Sequence, residues 1–259
     1  MSLLWRKKTL RIGLGPDSII VSGSREPVRV QGEGPGDWRS ALAALPEVLK
    51  CHAGQEAAVV LADQFVRYAL LPWNAALKSE AEWVALAQHR FGALHGAPAA
   101  EWQIKVTETA PHGARLACAV ERELISSLAE QFVAAGVHLQ SAQPFLVAAF
   151  NRIRKQVGNG SCWIVVEERG RLTLALIQRG EWLAIRARRS DDRWRGLLPE
   201  ILERETAFLG LAEPCTRVIV CAQGAFDVEL HDNWRAHSLS YRELALSAES
   251  PMEAVLEAA

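Results

Sequence analysis

The sequence carries almost no net charge. Its 29 lysines and arginines balance 30 aspartates and glutamates over 259 residues, which gives a formal net charge of -1. A nucleic-acid-binding chain typically has a strongly positive balance or a basic stripe. A nucleic-acid partner is therefore not expected.

The sequence also has no long apolar run. Its apolar stretches are much shorter than the roughly 20 residues that a membrane-spanning helix requires. The N-terminal sequence MSLLWRKKTL has its charges after a very short apolar start, which is the reverse of a secretory signal. We therefore predict a cytoplasmic protein without a membrane span. Trp5, beside three basic residues, allows only a weak peripheral contact with a membrane surface.

Motifs for metal binding and for nucleophilic catalysis are missing as well. The five cysteines are an odd number without a CxxC pair, and Cys118, Cys162 and Cys221 lie in apolar, strand-like runs. Such thiols usually pack as small hydrophobic groups, so we predict reduced, structural cysteines. The seven histidines form no HExxH motif, and no serine has the context of a nucleophile elbow. The sequence thus predicts no metal site and no catalytic residue.

One order of elements is used twice along the chain. In each half, antiparallel strands are followed by a helix, a strand and a helix. The first half opens with TLRIGL and SIIVSG, and the second opens with the meander CWIVVEE, RLTLALIQ and EWLAIRARR. This repeat predicts two α/β lobes with mixed sheets. The part after TRVIVCA is less regular, and the C-terminal SAESPMEAVLEAA is weakly helical at best.

Local signals mark several elements between these runs. Asp63 interrupts the strand-like AAVVLADQFVRYALLPW and predicts a turn between two strands. Ser79 and Glu82 form a capping box that opens a helix over residues 79–94. The alternating strand EWQIKVTET follows, and Gly136 ends the helix ERELISSLAEQFVAAG.

The stretch ARLACAVERELISSLAEQFVAAGVHLQSAQPFLVAAFNRI, residues 114–153, carries a resemblance to a known family. Its order of strand, helix, strand and short helix, with the helix end at Gly136 and the QPF step at 143–145, resembles the type IV pilus proteins PilM and MshI. It also resembles the cytoplasmic domain of the type II secretion protein GspL. These proteins share the actin-like fold of actin, sugar kinases and Hsp70 proteins.

This resemblance implies a fold and its division into lobes. We expect an α/β fold with a duplicated actin-like, ribonuclease H-like architecture, in which mixed sheets are flanked by helices. Residues 1–143 would form the first lobe, with a small inserted subdomain around 79–120. Residues 144–259 would form the second lobe, with a less regular tail.

The resemblance also indicates where nucleotide would bind. In nucleotide-binding members of the fold, the first hairpin carries an Asp-x-Gly turn. The backbone N–H groups of this turn hold phosphate, and its Asp acts through a metal ion. Here IGLGPDSIIV places Gly13 at the aspartate and Gly15 at the glycine, and Pro16 has no N–H to donate. A dinucleotide-type loop would lead into a helix, whereas SIIVSG is strand-like. We therefore predict a hairpin turn.

The other two nucleotide positions are degraded in the same way. The matching aspartate of the second half falls at Val166, and the glycine is displaced to Gly170. Glu167 and Glu168 beside it would repel phosphate. The adenosine loop is reduced to CAQGA around Gly224. These glycines are predicted to be relics of phosphate loops, and neither ATP nor another cofactor is expected.

The resemblance implies a protein partner instead. In PilM-like proteins, a cleft in the first lobe takes up the short N-terminal cytoplasmic segment of a PilN-like inner-membrane protein. For the wall of this cleft we predict Trp83, Arg90 and Phe91. The alternative is that Trp83 and Phe91 are simply core residues.

A second candidate contact lies in the charged stretch RARRSDDRWR. Arg186, Arg188, Arg189 and Trp194 could bind an acidic partner, because arginine holds carboxylates in a bidentate way. The alternative is a solvated junction between a strand and a helix.

Two functions are compatible with these features. The first is a non-catalytic scaffold of an MSHA-like type IV pilus or a type II secretion platform. Such a scaffold would lie at the inner face of the bacterial inner membrane and would also contact other platform subunits and the motor ATPase. The second is an actin-like ATPase or switch with a rearranged site. The missing carboxylates at Gly13 and Val166 favour the scaffold. The machine, the partner, the oligomeric state and a membrane helix beyond the C-terminus are left open.

Overall fold

The computed structural model describes residues 9–21, 27–31, 37–107, 112–157, 160–168, 170–211, 215, 217–222 and 235–240. Short 3₁₀ turns lie at Asp63–Phe65 and Ala97–Glu101. The strands are β1 (Leu10–Leu14), β2 (Ser18–Val21), β3 (Val28–Arg29), β4 (Glu56–Leu61), β5 (Val66–Leu71), β6 (Trp102–Val106), β7 (Arg115–Glu121), β8 (His138–Pro144), β9 (Ser161–Glu168), β10 (Arg171–Gln178), β11 (Glu181–Arg189), β12 (Arg217–Ala222) and β13 (Arg235–Ser240). The helices are α1 (Trp38–Leu49), α2 (Glu80–His95), α3 (Arg122–Ala134), α4 (Phe145–Val157) and α5 (Trp194–Leu209).

Two five-stranded sheets have the same strand order. The first sheet runs β3–β2–β1–β4–β8, and the second runs β11–β10–β9–β12–β13. In the first, β1 is antiparallel to β2 and parallel to β4, and β8 is parallel to β4. In the second, β9 is antiparallel to β10 and parallel to β12, and β13 is parallel to β12. The predicted duplication of a mixed sheet is confirmed.

A third sheet is small and antiparallel, with the order β5–β7–β6. The chain forms it between β4 and α3, and α2 packs against it. Its hydrophobic core consists of Ala69, Leu71, Trp83, Ala87, Phe91, Ala99, Val106, Ala117 and Ala119. The predicted limits of the two lobes and of the inserted subdomain stay predictions.

Local sequence signals account for the element ends. The Ser79 hydroxyl accepts the N–H of Glu82 at 3.3 Å, and the Glu82 carboxylate accepts the N–H of Ser79 at 2.8 Å, so the capping box is confirmed. Between β10 and β11, Arg179 and Gly180 have φ values of 53° and 79°. A two-residue turn with two positive φ values matches the twist of the flanking strands. The turn between β10 and β11 is therefore determined by the backbone conformation of these two residues.

One hydrophobic core joins the two large sheets. A continuous cluster of buried side chains includes residues of β1, β4 and α3 together with residues of β9, β10 and β12. Helix α4 contacts both β8 and β9, and Phe150 of α4 packs on Trp182 of β11 with ring centroids 4.7 Å apart. The opposite face of the second sheet packs on α5. All five cysteines are free thiols, and Cys118, Cys162 and Cys221 are buried, as predicted.

One strand was not expected from the sequence. Strand β13, in the part of the chain after β12, pairs in parallel with β12. Its sequence RAHSLS has little apolar alternation, so the strand depends on pairing rather than on local pattern. Trp5 and the C-terminal SAESPMEAVLEAA lie outside the described residues.

Candidate functional site

The first glycine pair lies in a hairpin, as predicted. Gly13 is inside β1, where Ile20 of β2 and Val60 of β4 are its partners. The N–H of Gly15 donates to the carbonyl of Ser18 at 2.9 Å and closes the turn. This backbone donor is therefore used within the hairpin.

The second hairpin has an apolar side chain at the position of the expected aspartate. Val166 is fully buried, and its strand partners are Thr173 and Cys221. Gly170 adopts a φ of +81° in the turn that follows. Gly224, the remaining glycine predicted to be a relic of a phosphate loop, lies outside the described residues.

A buried polar cluster lies where this second hairpin meets the segment between β4 and β5. We call Asp63, Gln64, Tyr68, Glu168 and Arg171 the polar cluster. Glu168 accepts the N–H of Gln64 through Oε2 at 3.0 Å. Arg171, the strand partner of Glu168, donates through Nη2 to the carbonyl of Val66 at 3.2 Å. The hairpin is thus tied to the first half of the chain by two hydrogen bonds.

Asp63 is completely buried within this cluster. Its Oδ1 accepts hydrogen bonds from the hydroxyl of Tyr68 and, at 3.0 Å, from the N–H of Leu146 at the start of α4. Burial raises the pKa of Asp63 to about 6, although these donors and Arg171 act in the opposite direction. Burial, and then the proximity of Asp63, raise the pKa of Glu168 well above its usual value.

The sequence analysis predicted different roles for these two carboxyl groups. Asp63 was expected to mark a turn, which the 3₁₀ segment Asp63–Phe65 confirms. Glu168 was expected to repel phosphate, and its contact with Gln64 was not foreseen. The available signal was an acidic residue inside an apolar run, as in VVLADQFV and IVVEE. A residue of that kind is often buried and needs a polar partner.

A groove opens on the outer side of the small sheet. It has a volume of about 370 Å³ and is formed by the end of β5, the segment that follows it and one face of α2. Trp73 is 44% exposed, and its ring packs edge-on against the His112 ring, with the ring centroids 4.5 Å apart. We call this the α2 groove; its lining residues are Leu71, Pro72, Trp73, Asn74, Leu86, His89, Arg90 and Ala93.

The three side chains predicted for a partner cleft do not lie together on the surface. Trp83 and Phe91 lie on the buried face of α2, in the core of the small sheet, and the Arg115 guanidinium lies 4.5 Å from the centroid of the Trp83 ring. Both Trp83 and Phe91 are core residues, which was the alternative prediction, and almost none of their surface is accessible to a partner. Arg90 is exposed and lines the α2 groove. The aromatic side chain that lines the α2 groove with Arg90 is Trp73.

The side chains of the second predicted contact are also partly exposed and partly buried. Arg188 and Arg189 are exposed on β11, the edge strand of the second sheet, and Arg186 is 3.7 Å from Glu205 of α5. Trp194 is only 6% exposed and belongs to the core between α5 and the second sheet. The arginines therefore form a basic edge without an exposed tryptophan.

Two further observations concern the residues that the structure describes. None of the helices in this part of the chain has both the length and the apolar character needed to cross a membrane. Within the same residues, no three histidine, cysteine, aspartate or glutamate side chains are grouped as a metal ion would require.

Comparison with known proteins gives structural matches only. No protein-family model matches the sequence, and no curated protein matches it. The fold is similar to a PilM–PilN type IV pilus biogenesis complex, with a TM-score of 0.60, 12% identity and coverage of 83% of this chain and 81% of the other.

Two other solved structures are similar over comparable lengths. One is the cytoplasmic domain of EpsL, an inner-membrane component of the type II secretion system of Vibrio cholerae, with a TM-score of 0.55, 10% identity and coverage of 92% and 91%. The other is a Bacteroides thetaiotaomicron protein with an actin-like ATPase fold and unknown function, with a TM-score of 0.57, 14% identity and coverage of 85% and 83%. The chain therefore has an actin-like fold, and its architecture is similar to that of PilM and of the EpsL cytoplasmic domain.

Proposed function

We propose that this chain is a non-catalytic scaffold of a type IV pilus or type II secretion assembly platform. It works at the cytoplasmic face of the inner membrane and binds the short cytoplasmic segment of a PilN-like membrane protein. The likeness in fold to the PilM–PilN complex and to EpsL supports this choice of machine. The observation that carries the proposal is the α2 groove, an exposed apolar site beside Arg90, which has no ion-pair partner in the part of the chain that the structure describes.

The chemistry of the α2 groove suits a short segment with an apolar side chain followed by a carboxylate. Leu71 is buried at its base and Leu86 is half-buried. Arg90 makes no hydrogen bond or ion pair with the described residues, so its guanidinium is available for a bidentate contact. Tryptophan and arginine are the side chains that most often dominate binding energy at protein interfaces.

The basic edge of β11 provides a separate contact for other subunits of the platform, including the motor ATPase. Arg188 and Arg189 are exposed there, and an acidic surface would complement them. This edge belongs to the second sheet, whereas the α2 groove belongs to the small sheet, so each can be altered independently.

The experiment is a calorimetric titration with synthetic peptides. The peptides are the N-terminal cytoplasmic segments of any single-span membrane proteins whose genes are found next to the gene for this chain. We expect one peptide to bind, and we expect Trp73→Ala and Arg90→Ala each to weaken it about tenfold, because each removes a groove contact of about 1.4 kcal/mol. Arg188→Ala is the matched control and should bind normally. If the parent chain, Trp73→Ala, Arg90→Ala and Arg188→Ala all bound the peptide with equal affinity, the α2 groove would not be its binding site.

The same instrument tests the alternative of an actin-like ATPase or switch. Magnesium-ATP and magnesium-ADP, up to millimolar concentration, should produce no binding heat. The reason is that the Gly15 N–H is used by Ser18 and that Val166 replaces the expected carboxylate. Saturable binding at micromolar nucleotide would favour the switch instead.

A further inference from the structure

Helix α5 has one buried face and one exposed face. Its buried side chains Trp194, Leu198 and Leu202 belong to the core that α5 forms with the second sheet. With 3.6 residues per turn, its exposed residues fall on one strip of the opposite side. We call this strip the α5 face; it consists of Gly196, Leu197, Glu200, Glu203, Arg204, Ala207 and Phe208.

Two large apolar side chains of the α5 face are exposed. Phe208 is 76% exposed, and Leu197 is 42% exposed. Their spacing of eleven positions is close to three helical turns, so they lie on the same side of α5, about 16 Å apart along its axis. Exposed apolar side chains that are scattered singly are ordinary, whereas two aligned on one helix face are typical of an interaction surface.

Gly196 is a second sign that something approaches this helix closely. A glycine inside a helix is destabilising relative to alanine. A Cβ added at Gly196 would meet nothing within 4 Å, so packing within the described chain does not require glycine there. The close approach of another backbone is a reason to have glycine at an exposed helix position.

The α5 face is symmetric about the level of Leu202. Leu197 lies five positions before Leu202, and Phe208 lies six positions after it. If two such helices lie antiparallel about a two-fold axis at this level, Leu197 of each copy contacts Phe208 of the other. Gly196 and Ala207 also meet across the copies, on the other side of the axis. Large side chains thus pack together where small residues let the helices come close.

The charges of the α5 face fit the same arrangement. Glu200 lies two positions before Leu202 and Arg204 two positions after it, so each Glu200 faces Arg204 of the other copy. Neither side chain forms an ion pair in the part of the chain that the structure describes. A parallel pair of helices would place like charges opposite each other. The order of charges therefore favours the antiparallel pair.

A lipid surface fits the α5 face less well than a second copy of the chain does. Helices that lie on membranes carry lysines and arginines around their apolar residues. Glu200 and Glu203 would instead face anionic lipid headgroups, which repel them. The self-complementary order of small, large and charged residues has no counterpart in a lipid surface.

We propose that the chain forms a homodimer by antiparallel packing of the α5 face on the α5 face of a second copy. Helix α5 covers the second sheet, whereas the α2 groove lies on the small sheet, so the two surfaces are formed by different elements. On the proposed function of the α2 groove, the dimer would present two grooves and would bind two membrane-protein segments at once.

This dimer should be weak, because one helix pair is a small interface. Helix α5 has 16 residues and is about 24 Å long. A single pair of helices of this length buries less than the roughly 800 Å² per partner of a standard stable interface. We therefore expect a dissociation constant on the order of 10–100 µM.

The test is sedimentation equilibrium of the full chain at concentrations up to about 300 µM. The parent should show a monomer–dimer equilibrium. Phe208→Glu should weaken the dimer at least about tenfold, because a charge would be buried without a partner. Val133→Glu is the matched control, since Val133 is an apolar residue on α3 that is 79% exposed, and it should associate as the parent does.

Gly196→Leu separates association from folding. It adds a side chain where the two helices approach most closely, so it should weaken the dimer. The melting temperature of the monomer should not fall, because leucine is a better helix former than glycine. A parent chain that stays monomeric over the whole range would overturn the proposal, and so would equal weakening by Phe208→Glu and Val133→Glu.

Charge reversal tests the antiparallel arrangement. Glu200→Arg and Arg204→Glu should each weaken self-association at least about tenfold, because all four central charges would then have one sign. The double variant should recover the parent affinity, and an equimolar mixture of the two single variants should form a heterodimer. A folded double variant that does not recover, or a mixture that associates no better than either variant alone, would overturn the antiparallel pairing.

Peptide binding distinguishes this proposal from that of the α2 groove. Phe208→Glu should bind the peptide with the affinity of the parent per chain, and Trp73→Ala should dimerise as the parent does. Each proposal can therefore fail without the other. Loss of dimerisation in Trp73→Ala would place the dimer interface at the α2 groove and would overturn the α5 pairing.

Discussion

Gly136 shows how one residue ends an element of this fold. Its N–H donates to the carbonyl of Val133 at 3.0 Å, and the N–H of Val137 donates to the carbonyl of Phe132 at 2.9 Å. This Schellman motif requires a positive φ, and Gly136 has a φ of +66°. A Cβ would meet only Ala53 Cβ, at 3.8 Å. The backbone conformation, and not crowding, is thus the reason for glycine.

Replacing this glycine should therefore destabilise the chain modestly. We expect Gly136→Ala to lower the free energy of unfolding by about 1 kcal/mol, measured by urea denaturation, because an L-residue is strained at positive φ. Gly92→Ala is the control, since Gly92 is inside α2 and a Cβ there meets nothing within 4 Å. That substitution should raise the stability by up to about 1 kcal/mol. A Gly136→Ala variant as stable as the parent would contradict the argument from φ.

At the scale of one element, helix α2 begins at the capping box and also carries residues that line the α2 groove. Its capping box lies at Ser79 and Glu82, whereas Leu86 and Arg90 of the α2 groove lie one to two turns later. The N–H groups of Lys78 and Ser79 lower the pKa of Glu82. This cap is therefore complete above the usual pKa of a glutamate and is lost as the pH falls through the lowered value.

We expect Ser79→Ala to fray the first turn of α2 while leaving the α2 groove intact. The cost should be about 1 kcal/mol, because the N–H of Glu82 loses its acceptor. Hydrogen exchange should become faster at the amides of Glu82 and Trp83, with peptide affinity unchanged. Ser126→Ala, at an exposed position inside α3, is the control and should have little effect. Loss of peptide binding in Ser79→Ala would show that the whole helix depends on its cap.

At the scale of the whole molecule, the shared core predicts that the two large sheets unfold together. Trp182 of the second sheet is 4% exposed and packs on Phe150 of α4, within the core that also contains side chains of the first sheet. Trp182→Ala should cost about 3–5 kcal/mol. Circular dichroism and hydrogen exchange should report one transition, shifted equally for both sheets. Trp73→Ala, at an exposed tryptophan, should shift the transition little, and two separate transitions in Trp182→Ala would mean that the sheets unfold independently.

The sequence predicted the order of elements well, because most of them are encoded locally. The capping box at Ser79, the helix end at Gly136 and the turn at Asp63 were each visible in a few residues. Strand β13 was missed because its sequence lacks apolar alternation, and it depends on pairing with β12. The absence of a carboxylate at Gly13 and at Val166 was also readable, since noticing which residue stands at a position needs no tertiary structure.

The sequence by itself thus determined the elements and the duplicated order of strands, which depend on residues close together in the chain. Only the tertiary structure decided which exposed side chains meet. It buried Trp83 and Phe91, brought Trp73 beside Arg90, and placed the Gln64 N–H within hydrogen-bond distance of Glu168 across 104 positions of sequence. The physical reason is that burial and charge pairing arise when distant strands pack, and local periodicity contains no information about which strands those are.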